Sequence, residues 1–208
     1  MLSQNDVRDV APALAAYTQD TLLGELWKRP ELLPRDRSIV TLAALIARNQ
    51  TVQMAYYLNL ALDNGVKPSE VSEIITHLAF YCGWENAMSA VVVAKAVFLE
   101  RGLGSDQLPP ASVELLPLNE AAEKQRATRV EQDFGAVAPG VVHYTTDVVF
   151  RNLWLRPALA PRDRSLVTVS ALIASGQVAQ VSYHLTGAFA THSRTRCLQL
   201  VRNIRNSI

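Results

Sequence analysis

The chain has 208 residues, 49% of them hydrophobic and 19% charged, with a formal net charge of +1. Such a chain is long enough to bury one sizeable core or two small ones. It carries no broad basic field, so nucleic acid and anionic membrane surfaces are not expected as partners.

In chain order, the polar start MLSQNDVRDV shows no basic segment followed by an apolar run, and no apolar stretch is long enough to span a membrane, so the expected setting is the cytoplasm. Asp36 is predicted to cap a helix that carries Ile39, Val40, Leu42, Ala43 and Ile46, with Pro34 closing the segment before it. A second helix is predicted over about 52–63, ending at Asn64-Gly65. A third opens at Pro68 with Val71, Ile74, Ile75 and Leu78 at helical spacing, and a fourth runs from about Glu85 to Glu100. Residues 103–119, with three prolines and little periodicity, read as a connector before helical character returns. No alternating strand pattern appears, so an all-α fold is expected.

The second half repeats the first. Tyr17–Leu62 and Tyr144–Phe189, offset by 127 residues, share 24 identities over 46 positions. Asp163 and Pro161 repeat the arrangement of Asp36 and Pro34. A duplicated helical unit suggests a fused pseudo-dimer, because each copy must bury its apolar face against the other. The expected division is a first copy at 1–102, a connector at 103–125 and a second copy at 126–208. The second copy is expected to be truncated or divergent after Phe189, where the match collapses. The tail, with Leu198, Val201 and Ile204 at helical spacing, is read as one short amphipathic helix.

The run W-x-RP-x-L-x-PRDRS-(I/L)VT-x-x-ALIA, the helix ending DNG, and EVSEIITHLAFYCGW-x-NAMSA resemble the carboxymuconolactone decarboxylase family in its tandem form. The resemblance implies the alkylhydroperoxidase D-like all-α fold and a homo-oligomeric ring, here a trimer of tandem chains. It implies decarboxylation of a small carboxylated lactone or related organic acid with no metal or organic cofactor. The protein would hold an anion, stabilise an enolate and deliver a proton.

Arginines suit the first task and histidine the last. Arg29, Arg35 and Arg37 recur as Arg156, Arg162 and Arg164. They read either as a duplicated anion site or, with Asp36 and Asp163, as a structural network at the helix starts. His77 lies four residues after Glu73, a spacing that lets a carboxylate orient the imidazole and favour its protonated form; the alternatives are a solvated face or a packed contact. Trp27 and Trp154 read as core anchors. By resemblance, family members place a histidine where this chain has His184 in the second copy and Tyr57 in the first. The catalytic candidates are therefore His184, His77 and Glu73, and the substrate-binding candidates Arg37, Arg164 and Tyr57.

In peroxidase-type relatives that histidine follows a C-x-x-C pair, and here the places hold Gln50, Gln53, Gln177 and Gln180. A thiol-dependent peroxidase would have to use Cys82 alone, which reads first as a buried small side chain. A non-catalytic binding or scaffold role is the other alternative.

Overall fold

The computed structural model describes residues 3–189, with side chains to residue 184. Cys197 and the expected tail helix lie outside the described residues.

Among the described residues there are helices and no strands, so the all-α expectation holds. Two short helices, α1 (Gln4–Val10) and α2 (Pro12–Tyr17), lead through a π-helical turn (Thr18–Leu23) and a 3-10 turn (Leu26–Lys28) into α3 (Pro34–Ala47). Three longer helices follow, α4 (Met54–Asp63), α5 (Pro68–Cys82) and α6 (Trp84–Glu100). After a 3-10 turn (Ser105–Gln107) the chain runs without helix to α7 (Glu120–Phe134). The first pattern then repeats. α8 (Pro139–His143), a π-helical turn (Tyr144–Phe150) and a 3-10 turn (Leu153–Leu155) lead into α9 (Pro161–Ala174) and α10 (Val178–Phe189).

α3 and α9 pack on each other as the central pair of the molecule; α4 lies on α3 and α10 on α9. Both central helices are buried on most sides, their polar residues Asp36, Arg37, Asp163, Arg164 and Thr168 included. α5 packs against α3, α6 and α9, so the first copy's third helix crosses onto the second copy. The core is accordingly one cluster that runs from Ile39 and Leu78 to Val167 and Ala171.

The helix starts differ from expectation. Pro34 and Pro161 open α3 and α9 at their first positions, where the missing N–H costs nothing, and do not close the segments before them. Asp36 and Asp163 therefore lie inside the first turn, and no side-chain cap bond is made at either start. Their carboxylates cross the seam instead. Arg162 holds Asp36 through both terminal nitrogens at 2.5 Å, and Arg35 holds Asp163 at 2.9 Å and Glu70 at 2.5 Å. Of the two sequence readings of these repeated charges, the structural network is the one the fold builds with Arg35 and Arg162. The α3 and α9 ends also match: Asn49 and Gly176, at equivalent places, both take positive φ, +52° and +74°.

The connector is anchored. Leu116 donates its backbone N–H to Leu155 O, and Arg156 donates from Nη1 and Nη2 to the carbonyls of Ala111 and Pro110.

Candidate active site

α5 carries Glu73, His77 and Tyr81 at four-residue spacing, which places them in one stripe facing α9. The stripe meets Arg164 and Thr168, one turn apart on α9. Arg164 Nη2 donates to Glu73 Oε2 at 3.0 Å and Arg156 Nε to Glu73 Oε1 at 2.8 Å. One carboxylate thus serves two guanidinium groups. Glu73, His77 and Arg164 are each at most 1% exposed, and a charge so buried persists only when paired.

His77 lies between Arg164 and Thr168: Nδ1 is 3.3 Å from Arg164 Nη1 and Nε2 is 2.7 Å from Thr168 Oγ1. The Thr168 hydroxyl has one proton, which it donates to Arg164 O at 2.9 Å. It can therefore only accept from His77, so Nε2 carries the ring proton and Nδ1 accepts from the guanidinium. The imidazole is neutral. Burial, with the Arg164 charge beside it, holds His77 well below the ordinary histidine range. Arg164 bridges Glu73 and His77, the expected proton-delivery pair. Glu73 is taken up by two arginines, and the group next to the imidazole is a cation, which disfavours the imidazolium.

Around His77 the rings stack. Tyr81 lies over His77 at 4.7 Å between centroids and Trp154 meets it edge-on at 5.2 Å. Trp154 Nε1 donates to Tyr81 Oη at 2.9 Å, and its indole is parallel to Phe150 at 5.8 Å and to His184 at 6.2 Å. His184, on α10, also meets the edges of Tyr81 and Tyr183 at 5.4 and 5.2 Å. Burial among these rings pulls its pKa down to about 4.

The structure thus brings four of the six candidate residues, Glu73, His77, Arg164 and His184, to one seam. Glu73 and His77 come from the first copy, Arg164 and His184 from the second. Arg37 and Tyr57, the other two, are absent from it. Arg37 is 2% exposed and donates from Nη2 to the carbonyls of Arg29 and Leu32, while Tyr57 stacks on Trp27 at 5.8 Å. They form the first copy's equivalent half, and no described residue plays the part of α5 against it. Both Arg37 and Arg164 are shut off from solvent, and Nε of each is buried without a hydrogen-bond partner.

Sequence reasoning missed Tyr81 and Thr168, named Arg156 only as one of the repeated arginines, and took Trp154 for a core anchor, although it is only half-buried. One signal for the partner of Arg156 existed. Arg29 in the first copy pairs with Glu31 at 3.1 Å, whereas the equivalent of Glu31 is Ala158. Without a local acid, Arg156 turns to Glu73.

The half-buried Cys82 thiol is pushed up to about 11 by burial, so little thiolate forms near neutral pH. No group of three or more metal-ligating side chains gathers among the described residues, and none of their helices is long and apolar enough to cross a membrane.

Residues 12–96 and 139–194 match the carboxymuconolactone decarboxylase family. The chain belongs to that family. The two matched stretches correspond to the two copies and leave the connector and α7 between them. Over 85 residues this family member is 33% identical to a 4-carboxymuconolactone decarboxylase of Acinetobacter baylyi, covering 41% of this chain and 63% of that one. Over 72 residues it is 32% identical to the nitrosuccinic acid decarboxylase npaB of Metarhizium robertsii, covering 35% of this chain and 50% of the relative. It therefore spans less than two thirds of the length of either.

Proposed function

We propose that the protein decarboxylates a small carboxylated lactone or a related organic acid, with His184 as the proton-handling residue. The observation that carries this reading is the position of His184: an imidazole stacked among Trp154, Tyr81 and Tyr183, of which Trp154 and Tyr81 also contact His77, the neighbour of Arg164. The names of the two relatives support it, since both denote decarboxylases acting on small organic acids.

In the proposed reaction the bond between the substrate carbon and its carboxylate breaks. Carbon dioxide leaves, and the electron pair passes into the adjoining unsaturated or electron-withdrawing group. The carbanion or enolate then takes a proton. An apolar wall of rings around the carboxylate favours the step, because charge leaves that group as the bond breaks. With a pKa of about 4, free His184 is uncharged near neutral pH. An anionic substrate beside it raises the pKa, so substrate arrival itself loads the imidazole with the proton it then delivers. Arg164 and Arg156 contribute positive potential from behind the rings, and His77 acts as a neutral spacer that keeps Arg164 in place.

We also propose that several chains assemble, in line with the trimer implied by resemblance. α6 supports this with exposed Trp84, Met88, Val91, Val92 and Leu99 along its length, an apolar stripe of the kind that marks subunit contacts.

The test incubates the purified protein separately with 4-carboxymuconolactone and nitrosuccinate, following carbon dioxide release and ultraviolet absorbance. Turnover is expected with at least one acid, and His184→Gln is expected to lower kcat by about 100-fold, the usual weight of a positioned proton donor. Turnover unchanged in that variant would remove His184 from the chemistry.

A further inference from the structure

The stripe next to Glu73, His77 and Tyr81 on α5 is Ser72, Thr76 and Phe80, and together with Glu73 it lines a cavity of about 460 Å³. The opposite walls are Pro109–Ala111 of the connector and Asn152 and Leu153 of the second copy. The volume is in the range of small-ligand sites. Glu73 and Arg156 form the charged end, and they are the only charged groups among the lining residues described.

That end has a charge imbalance. Glu73 is shared by Arg164 and Arg156, so two guanidinium groups and one carboxylate leave a net charge of +1 on a largely buried cluster. His77, being neutral, adds nothing. Arg156 spends Nε–H on Glu73 and one N–H each from Nη1 and Nη2 on the connector carbonyls, which accounts for three of its five N–H groups. One N–H on each terminal nitrogen remains for an anion. Phe80, Pro109, Val148 and Leu153 offer apolar contact, and the exposed Thr76 and Asn152 offer polar groups. The Thr76 hydroxyl donates within its own helix to Ser72 O at 2.8 Å and keeps lone pairs free.

We infer that this cavity is a second binding site, distinct from the ring cluster at His184, for a small organic monoanion whose carboxylate lies on Arg156 and whose apolar body lies between α5 and the connector. One of its walls belongs to the stretch between the two family-matched segments, so the site is built by the join between the copies. It shares Glu73 and Arg156 with the seam described above, but its occupancy does not depend on the decarboxylation proposed there.

Calorimetric titration of the full chain with sodium benzoate, near neutral pH, tests it, with benzamide as the neutral control of equal shape. Saturable benzoate binding is expected, with benzamide weaker by about ten-fold or more, equivalent to ~1.4 kcal/mol. Thr76→Trp fills the mouth of the cavity without touching the ion pairs and is expected to weaken benzoate by a similar factor, as is Arg156→Gln. Should Arg156→Gln fail to fold, Thr76→Trp decides. His184→Gln is expected to keep benzoate binding. The inference is overturned by absence of saturable binding, by benzamide binding as well as benzoate, or by unchanged affinity in Thr76→Trp. Loss of benzoate binding in His184→Gln would also overturn it, by placing the anion at the ring cluster, and would leave the decarboxylase reading standing.

Discussion

Glu73 holds two arginines at once, which makes it the residue whose loss should be felt most. Glu73→Gln keeps the shape but leaves Arg164, fully buried, without a countercharge. Breaking a buried pair by removing one partner costs about 3–5 kcal/mol, and denaturant unfolding should show a loss of that size. His77 and His184 set the response to acid. Both are held below the unfolded value of 6.5 by burial, so the unfolded chain binds protons that the folded chain refuses. Stability contributed by the neutral rings is complete above about pH 6.5 and is lost as pH falls. For His184 the loss proceeds until about pH 4, and it amounts to on the order of 3 kcal/mol. Unfolding measured across that window should show the decline, and His184→Gln should flatten it; an unchanged slope would mean that His184 is not buried in solution. At Cys82 the expected result is slow alkylation near neutral pH, faster only as the pH approaches about 11.

At the scale of helices, the seam is set by α3, α9 and α5 together. The crossed charges Arg162–Asp36 and Arg35–Asp163 join the first turn of each central helix to the other. Arg162 is partly exposed, so solvent screens the pair and its net worth is modest. Asp36→Asn is expected to cost about 1–2 kcal/mol, between the values for exposed and buried pairs. Circular dichroism during thermal unfolding would show it as a lowered Tm with unchanged helix content. A drop as large as that for Glu73→Gln would place the network among the principal determinants of the fold. Helix positions were readable because apolar spacing and glycine stops are local: α5 begins at Pro68, and α4 ends before Gly65, as expected. The role of Asp36 was not readable. A short acid near a helix start looks like a cap, and only the approach of Arg162 from 126 residues away shows where its oxygens go.

At the scale of the whole molecule, the second copy's α9 and α10 supply Arg164 and His184 to a site whose other half comes from α5 of the first. Separating the copies should therefore destroy the site. Residues 1–104 expressed alone would expose the α3 face that α9 covers, and are expected to self-associate through it. Light scattering with size-exclusion chromatography would show this as dimers or larger species; a monodisperse monomer would contradict the seam. The same measurement on the full chain tests assembly through α6.

The helices, the duplication and the family are legible in the amino-acid sequence, because periodicity, helix stops and repeated motifs are local or comparable position by position. The sequence also singled out Glu73, His77, Arg164 and His184 as residues of interest. What it left undecided was charge. Whether an imidazole is protonated, whether an arginine faces a substrate or a carbonyl, and which carboxylate serves which guanidinium depend on burial and on partners 83 to 91 residues away. Those follow only from how α5 comes to lie on α9, since electrostatic energies are fixed by distance and solvent access in space and by no spacing along the chain.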